Sequence, residues 1–426
     1  MKFKLLLLFL FLFGFVLGLS ALLTGCSGDD DDDNDDAAPA DDDTGDDDDD
    51  DDNDDNDDND DNDDDDDNDD NNDDDDDDTT PMDCPAVITR QPYLQLVSQT
   101  GISVLWRTDT ASDSLVEYGL TADLGQWVHD DTLTIHHELA ITGLEPGTTY
   151  YYKVRSCLNE STVATFRTAP EPGEPFNFIA FSDSQEHYDI FSQITALMLE
   201  EDPWLAISSG DTVDSGWNGP DFDEQLFGPG EAVWRQAPLY VAIGNHEGCS
   251  PFFYQSFHFP NNDKEYYSFT YGNVFFIALA LDTANICIPG TPQYRFFTEA
   301  LESEEFQNAE FRVVFFHTPP WTEGWDGYEG EPLVRTFVVP LMEEYGVDVY
   351  FNGHTHDFER GLLNGVTSYI IGGAAGSLDY WVRDVEHITV YNAVHHFMSV
   401  QVDDKVMTLN AIDIDGNTFD TWVIAH

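Results

Sequence analysis

The chain has 426 residues, 86 of them acidic and 15 basic, for a formal net charge of −71 at pH 7. Of the acids, 36 are aspartates between Asp29 and Asp78, which leaves 50 acids against the 15 bases in the whole chain. That balance excludes a general nucleic-acid binder, because phosphate backbones are held by Lys and Arg; it reads as a solubility device or a salt-adapted surface.

Residues 1–26 open with Met1-Lys2-Phe3-Lys4 and an uncharged apolar run from Leu5 to Leu23, the layout of a secretory signal. The run is about long enough to cross a bilayer. Directly after it, Leu23-Thr24-Gly25-Cys26 resembles the lipobox of bacterial lipoproteins. The resemblance implies lipid on Cys26 and an exported chain anchored to the bacterial cell envelope, its membrane partner being reached through that lipid. Residues 27–80 are almost entirely Asp, Asn and small residues. They have nothing to bury and repel one another, so they are expected to form a disordered, extended spacer.

Residues 81–170 alternate apolar and polar positions in short runs separated by turn residues, the texture of an all-β sandwich. Ile102-Ser103-Val104-Leu105-Trp106 is one such strand. Leu144-Glu145-Pro146-Gly147 followed by Tyr150-Tyr151-Tyr152-Lys153-Val154 resembles the corner of fibronectin type III domains, with Tyr150 as the corner tyrosine. His129, His136 and His137 read as surface or core-edge residues. Apart from Cys26 there are four cysteines, an even number in an exported chain, which suggests two disulfides. Three connectivities are open; Cys84–Cys157 and Cys249–Cys287 keep each bond within one domain.

Pro170-Glu171-Pro172-Gly173-Glu174-Pro175 reads as a linker. From residue 175 to 426, apolar strands alternate with helical spacing, and each strand closes on a polar motif, which is α/β logic. The motifs are Asp183-Ser184-Gln185, Gly210-Asp211-Thr212-Val213-Asp214, Gly244-Asn245-His246-Glu247, Phe315-Phe316-His317 and Gly353-His354-Thr355-His356. One Asp at a strand end is commonly a helix cap. Five polar strand ends mixing carboxylate, amide oxygen and imidazole suit Zn, Mn or Fe.

In these motifs the sequence resembles the calcineurin-like metallophosphoesterases, and within them the purple acid phosphatases. Gly290-Thr291-Pro292-Gln293-Tyr294-Arg295-Phe296-Phe297 and His356-Asp357-Phe358-Glu359-Arg360 carry the likeness beyond the metal motifs. The resemblance implies a four-layer α/β sandwich of two mixed sheets flanked by helices, behind the all-β domain. It implies two metal ions bridged by Asp211, with Asp183 and His356 completing the first site and Asn245, His317 and His354 the second; Gln185 is a further candidate ligand of the first. His246 becomes the general acid, Glu247 the residue that orients it, and a phosphorylated small molecule the substrate. Arg360 and Trp321 are the candidate substrate contacts, with Trp325, Tyr328 and Arg335 in the same segment.

The pattern departs from the family twice. Purple acid phosphatases carry Tyr three residues after the bridging Asp, where this chain has Asp214. The wider family has His where this chain has Gln185, a neutral and weaker donor than imidazole; His187 is the alternative ligand. Phosphomonoesterase is the first reading, phosphodiesterase or nucleotidase the second, and a non-catalytic envelope binding protein the third.

Overall fold

The computed structural model describes residues 84–260, 265–281 and 286–426. The apolar leader, Cys26 and the aspartate tract, with the lipidation and export read from them, lie outside the described residues.

The first strands are β1 (Ile88–Gln95), β2 (Gly101–Gly119), β3 (Gln126–Thr142), β4 (Thr149–Ser156), β5 (Asn159–Glu160) and β6 (Ala164–Arg167). β2 pairs with β1 through Ser103–Thr108 and with β4 through Leu115–Gly119, and β3 runs beside it along both stretches. Register shifts between Arg107 and Ser114 bend the β2–β3 ribbon between them, as bulges do. The strands do not separate into the two sheets of the expected sandwich: six strands form one sheet, bent over a core that includes Trp106, Tyr152 and Phe166. The corner contact does form, the Tyr150 hydroxyl accepting the Glu145 N–H at 3.0 Å. His137 is not at a core edge. It is buried, stacked on Trp106 with ring centroids 4.7 Å apart, and bonded to the hydroxyls of Thr108 and Ser114.

Cys84 and Cys157 are disulfide-bonded. The second expected bond does not form. Cys287 is a free thiol buried in an apolar cluster with Leu279, Leu281 and Phe297, and Cys249 is not its partner.

The strands that follow are β7 (Phe176–Phe181), β8 (Leu205–Ser208), β9 (Leu239–Val241), β10 (Tyr267–Tyr271), β11 (Val274–Ala278), β12 (Phe311–Phe315), β13 (Val349–Asn352), β14 (Phe358–Leu363), β15 (Val366–Ile371), β16 (Ile388–Asn392), β17 (His396–Asp403), β18 (Val406–Asp413) and β19 (Thr418–Ala425). They make two mixed sheets, in the orders β19-β18-β17-β7-β8-β9 and β10-β11-β12-β13-β15-β14-β16. The sheets meet face to face across rings such as Phe178 and Phe276, whose centroids are 5.3 Å apart. Along β11 and β12, Val274, Phe276, Val313 and Phe315 face that shared core, while Phe275, Ile277 and Val314 face a second cluster under the helices Pro292–Glu302 and Val339–Tyr345. Burial on both faces explains why these strands read as unbroken apolar runs. The helix Tyr188–Glu200 covers the other sheet with Phe191, Ile194 and Met198.

β7, β8 and β9 run parallel to one another, as do β11, β12, β13 and β15. Their carboxyl ends are where the polar motifs emerge. The six-stranded N-terminal part is seated on this assembly through Arg90, which is buried, pairs with Asp223 and lies 4.0 Å over the ring of Phe227. Tyr93 donates to the carbonyl of Ser256 at 3.0 Å and Tyr152 to that of Arg235 at 2.8 Å.

Candidate metal centre

Each strand releases its motif through a tight backbone. Asp183 after β7, Asp211 after β8 and His354 after β13 have φ of 57°, 49° and 72°, a left-handed conformation that is uncommon for non-glycine residues. The loops are stitched together: the Asp183 N–H donates to Gly210 O and the Ser184 N–H to Asp211 O, both at 3.0 Å. Glycine is required at two close approaches. A Cβ on Gly244 would lie 2.2 Å from Asp211 Oδ1, and one on Gly353 2.2 Å from Asp183 Oδ2.

Around this frame the donors converge. His317 Nε2 lies 2.9 Å from Asp211 Oδ2, 3.0 Å from Asn245 Oδ1 and 3.2 Å from His354 Nδ1. Asp211, His317 and His354 offer ligand atoms within 4.8 Å of one another. A second group stands beside them: His356 Nε2 is 3.4 Å from Asp183 Oδ1 and 3.2 Å from Gln185 Nε2. Two of the imidazoles are oriented from behind. His317 Nδ1 donates to Ser209 O at 3.0 Å and His356 Nδ1 to Ser377 O at 2.9 Å, which aims each Nε2 lone pair inward, as ligating histidines require.

The field here is strongly negative. Burial pulls the His317 imidazole down, but Asp211, Asp183 and Glu247 outweigh it and raise it to about 10. Burial likewise opposes charge on His356, and its bond to Asp183 raises it to about 9. Burial pushes Asp211 up, and His317 more than offsets that, leaving its carboxyl below the usual range. Such a field stabilises cations, and the donor set fits two of them. Asp183, Gln185, Asp211 and His356 would hold one ion, and Asp211, Asn245, His317 and His354 the other. Gln185 supplies an independent sign: it is fully buried, and its Oε1 has no hydrogen-bond partner. A buried acceptor without a hydrogen-bond partner, beside two candidate ligands, fits a metal donor. His187, the alternative, is exposed and bonds Ser377 Oγ at 3.2 Å.

Gln185→Ala is therefore expected to weaken the first ion about 10–100-fold, the range seen when groups supporting a metal are removed, and Gln185→His to tighten it. Calorimetric Mn and Zn titrations of the three proteins measure this. Unchanged affinity in Gln185→Ala would take Gln185 out of the site.

Three other residues stand elsewhere than the sequence suggested. Glu247 does not touch the His246 ring. It is buried and accepts from Asp211 N at 3.0 Å, Gly244 N at 2.8 Å, Thr212 Oγ1 at 2.7 Å and Thr212 N. The His246 ring is instead oriented by its Nδ1, which donates to Asp214 O at 2.8 Å, and its Nε2 stands 3.9 Å from Asp211 Oδ2. Arg360 is engaged by Asp420 at 2.7 Å and lies over Trp422. Trp321 packs edge-on to His387 at 4.7 Å, beneath Arg335. Neither faces the donors. Trp325 and Tyr328 do, with ring centroids 5.1 and 5.0 Å from His354. At the position of the family's tyrosine, both Asp214 carboxylate oxygens are occupied, by Glu186 N and Gln225 Nε2, each at 2.8 Å.

Sequence reasoning missed a set of acids under the site. Asp357 and Glu359 are buried, Glu359 accepts from Thr322 Oγ1, Glu323 N and Gly324 N, and Asp379 accepts the His356 N–H. Their signal was the acidic pair flanking Phe358 directly after the His354 and His356 motif, Asp357-Phe358-Glu359.

Comparison with known proteins agrees with this architecture. The calcineurin-like phosphoesterase family matches residues 176–358, and the purple acid phosphatase N-terminal domain matches residues 89–168. Purple acid phosphatase 15 of Arabidopsis thaliana is 27% identical over 269 residues, 54% of this chain and 50% of that protein. Purple acid phosphatase 23 of the same plant is 29% identical over 283 residues, 56% of this chain and 59% of that protein. The chain thus spans between half and three fifths of the length of these curated relatives. Among solved structures, a purple acid phosphatase from yellow lupin seeds superposes with a TM-score of 0.69 at 19% identity, over 79% of this chain and 75% of that one.

Proposed function

We infer that this chain, which carries a calcineurin-like phosphoesterase domain behind a purple acid phosphatase N-terminal domain, hydrolyses phosphate esters at a dinuclear metal centre, with monoesters as the first class of substrate. The observation that supports this most is the convergence of Asp211, Asn245, His317 and His354 on one point, with Asp183, Gln185 and His356 forming a second donor group beside it.

Two bound ions would supply Lewis acidity toward the phosphoryl oxygens and acidify the attacking water. The chain's own residues supply the rest. Asp211 would be shared between the two ions, and its Oδ1 accepts the His246 N–H at 2.8 Å, which fixes the backbone of the proton donor. His246 presents Nε2 to the opening, its side chain 36% exposed, and hands a proton to the departing alkoxide there. Asp214 stands where the family has tyrosine, so no phenolate is offered from that position, which favours divalent Zn or Mn over ferric iron.

Diesters and nucleotides would use the same donors. A non-catalytic binding role has one observation in its favour, the neutral Gln185 in a position suited to imidazole. One relative, 26% identical over 304 residues, is named a probable inactive purple acid phosphatase. The complete set of remaining donors supports turnover.

His246→Asn tests the assignment. With glycerol phosphate, whose alkoxide needs a proton to leave, kcat is expected to fall ~10²–10⁴-fold, the usual worth of a positioned acid. With nitrophenyl phosphate, whose phenolate leaves unaided, the loss should be far smaller and the metal content unchanged. Equal losses on both esters would make His246 a structural residue, and no loss on either would remove it from the reaction.

A further inference from the structure

Trp325 is an unusual residue for its place. It is 42% exposed, yet it sits at φ 52° on a loop that has little freedom to move. Arg383 staples that loop from outside, its guanidinium donating to the carbonyls of Thr322, Gly324, Trp325 and Tyr328. Glu359 staples it from inside through Thr322, Glu323 and Gly324. Behind the indole stands Tyr328, its ring 5.3 Å away and its hydroxyl donating to Glu331 at 3.2 Å. A solvent-facing tryptophan in a strained backbone conformation, held by seven hydrogen bonds and placed 5.1 Å from a candidate metal ligand, has been positioned rather than tolerated.

The surrounding charge narrows what it meets. The arginines of the adjoining segments are spent: Arg383 on carbonyls, Arg360 on Asp420, and Arg335 on the Glu329 carbonyl and the Trp321 face. The loop itself exposes Asp326 and Glu329, while Glu323 is buried with its carboxylate accepting from Val385 N. A leaving group with further phosphates would meet carboxylates here and no uncommitted guanidinium from these three residues. A flat, uncharged π-system would meet an indole face.

We propose that Trp325 is the wall of a leaving-group subsite that takes phosphate esters of planar aromatic groups, a phenol ring or a nucleobase on its ribose, in preference to aliphatic or polyanionic esters. The proposal rests on the phosphate-ester reading and deepens it. Trp325 acts here as a specificity residue: the stacked ring orients the ester, and the chemistry stays with the donors and His246.

The test compares phenyl phosphate, adenosine monophosphate and glycerol phosphate on the full chain loaded with Mn or Zn. Trp325→Ala is expected to lower kcat/KM about tenfold for the two aromatic esters, the effect of losing one stacking partner, mostly through KM. Glycerol phosphate and metal content should be unchanged, and Trp325→Phe should recover most of the loss. A loss on phenyl phosphate alone would restrict the subsite to phenols, and one on the nucleotide alone to nucleobases. Equal losses on all three esters, or none, would overturn the proposal. If the wild-type protein hydrolyses none of them, the phosphate-ester reading fails, and calorimetric binding of adenosine monophosphate against glycerol phosphate still decides the subsite. Selective weakening of the nucleotide in Trp325→Ala supports it; no difference between the two ligands overturns it.

Discussion

Asp211→Asn is expected to lower turnover by about 10³-fold or more and to cost the protein at least one of its ions, because two cations ~3.5–4 Å apart need a shared anion between them. The substitution is isosteric, so the fold should survive. The side chain cannot. Its two oxygens now accept the His246 N–H at 2.8 Å and face His317 Nε2 at 2.9 Å, and an amide must turn its NH₂ toward one of them. Metal analysis of the purified variant, with circular dichroism to show that the fold is intact, reads the outcome. Near-normal activity with both ions retained would end the two-metal assignment.

The second large effect belongs to a residue that touches neither proposed ion nor substrate. Glu247→Ala would leave the N–H groups of Asp211, Thr212 and Gly244 and the Thr212 hydroxyl without their buried acceptor. At ~1–3 kcal/mol for each buried donor left unpaired, the fold should lose ~3 kcal/mol or more, and the melting temperature should drop on the order of 5 °C. Because two of those donors fix the strand end that carries Asp211, metal affinity should fall with stability. Glu247→Gln should recover part of both, its amide oxygen serving one pair of donors while its NH₂ confronts the other. If Glu247→Ala instead melted normally, kept its metals and lost only kcat, Glu247 would belong with His246, as its place in the motif first suggests.

Glu247 illustrates what the chain gives away when read alone and what it conceals. The ligand candidates were legible because each combines two local signals, an apolar run long enough to be a buried strand and a polar residue at its end. The parallel architecture follows from the same runs, since strands covered on both faces lose their alternation. Roles that depend on direction were not legible. Nothing in Gly244-Asn245-His246-Glu247 says that the last residue turns inward to clasp the backbone of β8's loop while His246 is steered by the Asp214 carbonyl. Arg360 has the charge for a phosphate, and only the structure places Asp420 against it. The cysteine pairing failed for a similar reason: an even count says that bonds are affordable, whereas the surroundings of Cys287 are apolar and hold its thiol raised to about 12, inert in the core. The bent β2–β3 ribbon was hidden because one long strand bent over a core and two short strands read alike in sequence.

The seat of the N-terminal strands on the two-sheet part bears on how such a protein can change over time. Arg90, Tyr93 and Tyr152 grip Asp223, Phe227, Ser256 and Arg235, and these lie on the same stretch of chain that presents Asp214 and His246. The two halves are thus not interchangeable modules joined by a hinge. A lineage that swapped the all-β part for another, or shed it, would have to rebuild the outer support of the loop bearing His246 in the same step. Novelty is then expected to accumulate in the loop of Trp325, which Arg383 and Glu359 brace from within its own half.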